Sequence, residues 1–107
     1  MILVRAKLQA LSEETRPPLR SLLIDMGRDS RAEAGCITYR FTADLEDDLL
    51  FHITELWEDE ATALAHARGP VFVRFKAEFP ALGSLVESIW MSGDLKPIVR
   101  PGSRPSA

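Results

Sequence analysis

Four side chains in this sequence combine reactive groups with informative spacing: Tyr39, Glu55, Trp57 and His66. Glu55 and Trp57 are two apart, so on a strand they share one face. His66 follows nine residues after Trp57, in an Ala-rich stretch with helical character. Histidine is the side chain suited to proton transfer near neutral pH. Tyr39 and Trp57 carry polar hydrogens on aromatic bodies, and Glu55 adds a carboxyl group. Each residue also has a purely structural reading. Trp57 can be core with its N–H satisfied locally. Glu55 can pair with Arg5 or Arg40. His66 can be a partly exposed residue near a helix C-terminus, where positive charge is favoured.

Other chemistries find less support. The candidate metal ligands are Cys36, His52, Glu55 and His66. His52 and Glu55 are three apart on one expected strand and so point to opposite faces. Cys36 has no partner at zinc spacing. No built-in metal site is expected. There is no G-x-S-x-G elbow, no G-x-G-x-x-G and no P-loop. Cys36, beside Gly35 at a strand start, reads as a small packed hydrophobe.

The whole chain sets the frame for these residues. Its 107 residues suit one domain, with 46% apolar and 27% charged residues. A net charge of -3, with its 13 Lys and Arg scattered, argues against a nucleic-acid partner. No apolar run approaches the roughly 18–20 residues that span a bilayer, so no membrane partner is expected. "MILVRAKLQALSEE" lacks the pattern of a signal peptide. A single cysteine forbids an intrachain disulfide and fits a cytoplasmic location.

The elements that must position the four residues follow from periodicity. Ile2 to Ala10 alternates as a strand. Pro17 and Pro18 suit a first helical turn, and Leu19, Leu22, Leu23 and Met26 repeat as one helical face that should fade near Gly35. Strands are expected at Cys36 to Thr42, Leu49 to Glu58 and Ser84 to Met91. Asp59 reads as the N-cap of a short helix broken by Gly69-Pro70, with a second helical piece carrying Phe72, Phe75 and Phe79. The order β-α-β-β-α-β predicts an α+β, ferredoxin-like domain over residues 1–95, its four-stranded antiparallel sheet carrying the helices on one face. A Pro-rich tail over 96–107 should be extended or disordered. The third strand looks apolar on both sides, with Phe51, Ile53 and Trp57 on one and Leu50 and Leu56 on the other. The helix-free face is therefore expected to bury itself against a second chain, as a homodimer closing into a barrel and leaving a ligand cavity.

"EAGCITYRF" and "FHITELWEDEATALAHARGPVFVRF" together resemble the antibiotic biosynthesis monooxygenase family, of the dimeric α+β barrel group. The resemblance rests on Glu33, Gly35, Cys36, Tyr39, Phe51, Glu55, Trp57, Asp59, His66, Pro70 and Phe72, in order and at family spacing, and covers residues 1–95. Ala34 stands where proline is usual, Val71 replaces a frequent second histidine, and Thr62-Ala63 replaces Ala-Leu. The resemblance implies a homodimer with a pocket in each subunit. It implies oxygenation of a small aromatic or quinol-type molecule by O2 with no metal, flavin or haem cofactor. A phenolate can hand an electron to O2 directly, so the protein must supply a base, a donor for the anion and a dry slot. His66 is expected as base or proton shuttle, with Trp57 and Tyr39 as donors. Glu55, Phe72, Phe75, His52 and Arg5 are the expected substrate-binding set. Haem-degrading relatives use an Asn on the first strand, a Trp near the position of His66 and a His near that of Lys76, none of which this chain has. A non-oxygenase ligand-binding or isomerase-type dimer is the alternative.

Overall fold

The computed structural model describes residues 1–96, 98, 101 and 102, so most of the expected tail lies outside the described residues. Strand β1 (Ile2–Ala10) leads into helix α1 (Arg16–Arg31) and the hairpin β2 (Cys36–Ala43) and β3 (Leu50–Trp57). Helices α2 (Glu60–Arg68) and α3 (Pro70–Glu78) follow, and a 3-10 turn at Phe79–Ala81 leads into β4 (Gly83–Ser92). The strands form one antiparallel sheet in the order β2-β3-β1-β4. This is the ferredoxin-like α+β arrangement that the periodicity predicts, with the second helical segment divided at Gly69-Pro70. Among the described residues, no helix is long and apolar enough to cross a membrane.

The core forms where the two periodicities meet. Ile2, Val4, Leu8 and Ala10 of β1 are buried beneath Leu19, Leu22, Leu23 and Met26 of α1. Each such large side chain contributes on the order of 1.5–3 kcal/mol on burial. Phe51, Ile53, Glu55 and Trp57 of β3 face the same core, and Leu50, His52, Thr54 and Leu56 face the other way. The helix-free face is less uniformly apolar than expected. Leu3 lies between Leu56 and Met91 at one end of it, but Lys7 pairs with Glu87 at 3.5 Å further along. His52 and Thr54 separate the two leucines of β3, because period two brings every second residue of "LFHITELW" outward whatever its polarity.

The turn into β2 is set by Gly35, whose φ of +79° is a left-handed conformation. A Cβ there would also collide with Thr62 in the first turn of α2. The Gly35 carbonyl accepts from Glu58 N–H at 2.8 Å, and Asp59 caps α2 by accepting from Thr62 N–H at 2.8 Å. One turn thus fixes the start of α2 against the start of β2. Gly35→Ala is expected to lower stability by about 1–3 kcal/mol, read from urea melts. An unchanged midpoint and slope would show that the turn is not strained.

Candidate active site

β2 and β3 bring Tyr39 and Glu55 together, because these two are direct cross-strand partners. Both point under the helices, Tyr39 at 1% and Glu55 at 7% exposure. Glu55 Oε1 accepts from Trp57 Nε1–H at 3.0 Å, two residues along the same face. α2 lowers His66 onto this layer. Its ring stacks on Trp57 at 4.8 Å between centroids and meets Tyr39 edge-on at 5.2 Å. His66 is therefore buried rather than partly exposed.

The polar contacts of His66 define its use. Nδ1 lies 2.6 Å from Glu33 Oε1. Nε2 lies 3.4 Å from the Tyr39 hydroxyl and 4.0 Å from Glu55 Oε1. In the neutral imidazole, Nδ1–H donating to Glu33 leaves Nε2 as the acceptor for Tyr39 O–H. Glu33 sits in the turn before β2, and its side chain is partly open to solvent. A chain of contacts thus runs from Glu55 and Tyr39 through His66 to the surface at Glu33.

Burial decides the protonation of the inner groups. It pushes the Glu55 carboxyl up from its usual range, with the Trp57 hydrogen bond and His66 opposing in part. It also raises the Tyr39 phenol strongly, with the Glu55 charge adding to the effect, so Tyr39 stays a protonated donor. The Cys36 thiol is raised as well, first by burial and then by the charges of Glu55 and Glu33, which agrees with a packing role. Among the described residues no three of His, Cys, Asp and Glu converge as a metal site.

These groups adjoin a cavity of about 250 Å³ on the helix side of the sheet. Val4, Ala6 and Leu8 form its floor, and Phe72, Phe75 and Phe79 of α3 one wall. Leu85, Ser88 and Trp90 of β4 form the opposite side. Tyr39 and Glu55 are its buried polar groups, and Lys76 is exposed on its α3 side. Trp57 and His66 stand one layer behind the lining.

The comparisons with known proteins bear on this arrangement. The sequence pattern of the antibiotic biosynthesis monooxygenase family matches residues 1–78. The chain belongs to the antibiotic biosynthesis monooxygenase family. PA3566 from Pseudomonas aeruginosa is 30% identical with a TM-score of 0.72, over 84% of this chain and 88% of that one. A candidate antibiotic biosynthesis monooxygenase from Deinococcus radiodurans is 24% identical with a TM-score of 0.77, over 94% and 99%. SnoaB, a cofactor-independent oxygenase from Streptomyces nogalater, shares the fold at a TM-score of 0.76 and 10% identity, over 89% and 94%. No curated protein matches the sequence.

In this family member the expected residues divide into two groups. Tyr39, Glu55, Trp57, His66, Phe72 and Phe75 gather at or behind the cavity. Arg5 and His52 lie across the sheet, beside a depression of about 230 Å³ that Lys7, Glu87 and Ile89 also line. His52 Nε2 is paired with Asp44 Oδ1 at 2.8 Å. Arg5 and Arg40 both lie opposite Thr54 in the register, on the face turned away from Glu55. The partner of Glu55 is accordingly Trp57 and not an arginine. Sequence reasoning gave no role to Glu33, although "EAG" places it two residues before the left-handed glycine that orients it. It also missed the cavity side of β4, because period two sets Leu85 on the face opposite Ser88 and Trp90, and only the register shift between Lys7 and Leu8 brings all three to one side.

Proposed function

We propose that the chain is a cofactor-independent monooxygenase that oxidises a small electron-rich phenol or related aromatic with O2, working as a homodimer. One observation carries the reading: a carboxyl group raised by burial, Glu55, beside a protonated phenol, Tyr39, at the edge of an aromatic slot. A base whose pKa lies nearer neutrality takes a phenolic proton more readily, typically for about 10²–10⁴ in rate. Family membership and the shared fold of a cofactor-independent oxygenase support the same chemistry. For the dimer, support comes from the helix-free face of β4, where Ile89 and Met91 are about half exposed, at 44% and 48%.

The atoms balance as follows. Glu55 takes the substrate O–H proton, and Tyr39 O–H turns from His66 Nε2 to donate to the phenolate. The ring carbon para to that oxygen gives one electron to O2, leaving an aryloxyl radical and superoxide. These combine in a C–O bond, and the peroxide anion takes a proton back from Glu55. The O–O bond then breaks as the C–H proton leaves, so that one oxygen becomes the new carbonyl and the other departs as water. His66 and Glu33 exchange the proton of Glu55 with the surface and do not touch the substrate. Trp57 N–H is spent on Glu55, so its role is to hold the base rather than the ligand.

Oxygen uptake with 1-naphthols and anthrones, with no added cofactor, tests this reading. One O2 should disappear per quinone or carbonyl formed, with one labelled atom from 18O2 in the product and one in water. Ligand binding without uptake would favour the non-oxygenase or isomerase reading.

A further inference from the structure

Lys76 is the one cation on the cavity lining, among the described residues. Its ammonium lies 5.5 Å from the centroid of the Phe72 ring. His66 meets the same ring edge-on at 5.6 Å between centroids, so Phe72 touches both Lys76 and the inner polar layer. No carboxylate lies within 4.0 Å of Lys76 among the described residues. Glu78 of the same helix and Asp25 of α1 are both engaged by Arg74 instead. An ammonium resting on an aromatic face at an exposed site is weakly held, and an anion arriving in the slot competes well for it.

The buried polar groups of the same lining have the opposite character. Glu55 is buried there, and a second negative charge beside it is disfavoured. Tyr39 offers an O–H, which suits an uncharged hydroxyl or an oxygen that becomes charged only during reaction. The cavity of about 250 Å³ sits below the roughly 300–1,000 Å³ of drug-sized pockets. One or two fused rings fill it.

We propose that the ligand is a hydroxylated aryl carboxylate, with its carboxylate on Lys76 and its hydroxyl at Tyr39 and Glu55. This rests on the cavity being the substrate site of the proposed oxygenase and names the substrate class for it. Lys76 is then the residue that sets specificity, choosing acids over neutral compounds of equal shape.

The test is binding without oxygen, followed by Trp fluorescence or calorimetry, so it needs no turnover. The probes are 6-hydroxy-2-naphthoate and its neutral carboxamide. The wild-type chain is expected to prefer the acid by at least tenfold. Lys76→Met should remove the preference while leaving carboxamide binding within about twofold, and Lys76→Glu should reverse it. Lys76→Arg should keep it. Equal affinities in the wild type, a preference that survives in Lys76→Met, or no binding of either probe at millimolar concentration would each overturn the proposal. A Lys76-dependent preference with no oxygen uptake from any phenol would sink the oxygenase reading and leave the ligand class standing.

Discussion

Glu55→Gln is expected to lower turnover by about 10²–10⁴-fold and to raise thermal stability at neutral and higher pH. Gln keeps the shape and still accepts from Trp57 N–H, but it cannot take a proton. The loss should fall on kcat more than on KM, because the hydroxyl is bound before it is ionised. The stability gain follows from linkage. Burial raises the folded pKa of Glu55 above its unfolded value, so the folded state holds the extra proton. The stability tied to that proton is fully present below the ordinary carboxylate range and is lost as pH rises through the raised value. Above that value a charged carboxylate sits buried at a cost that Gln does not carry. Melting curves of the two proteins should therefore coincide in acid and separate as pH rises, the variant melting higher. A variant that keeps wild-type kcat, or one that melts lower at high pH, contradicts the role of Glu55 as buried base.

Trp57→Ala should be the most damaging single change to the fold. Trp57 is 0% exposed and stacks on His66. Truncating a buried aromatic to Ala costs about 3–5 kcal/mol, against a total stability of about 5–15 kcal/mol for a domain. For a chain of this size that is a fall in Tm on the order of 15–25 °C. Trp57→Phe separates packing from polarity. It keeps a ring over His66 but removes the N–H whose hydrogen bond holds the Glu55 pKa down. The pH at which turnover reaches half its maximum should then move upward, with a much smaller loss of Tm. If the profile of Trp57→Phe stays where it was, the indole N–H does not tune the base.

Much of this site was legible before any coordinates. Period two puts Glu55 and Trp57 on one strand face, and the hairpin brings Tyr39 beside them; the register makes Tyr39 and Glu55 partners. Asp59 followed by an Ala-rich run marks the start of α2, and the Asp59–Thr62 cap is what that pattern predicts. Local chemistry was enough because each of these relations spans a few residues or one tight turn. Lys76 was legible only as a position, since its value depends on which cavity its helix face overlooks.

The sequence by itself determined the elements, their order and the side of each strand that is apolar, because hydrophobic periodicity and turn chemistry act over short distances. It also carried the ordered set from Glu33 to Phe72 that marks the family. The tertiary structure decided the division of labour. Arg5 and His52 share the sequence neighbourhood of the site but lie on the far face of the sheet, since a side chain in a strand cannot cross it. His66 is buried behind the cavity wall and held by Glu33, 33 residues away. Which carboxyl lines the cavity, Glu55, and which reaches the surface, Glu33, follows from where β3 and the Gly35 turn set them. Burial depth is a property of the packed layers together, and no local pattern contains it.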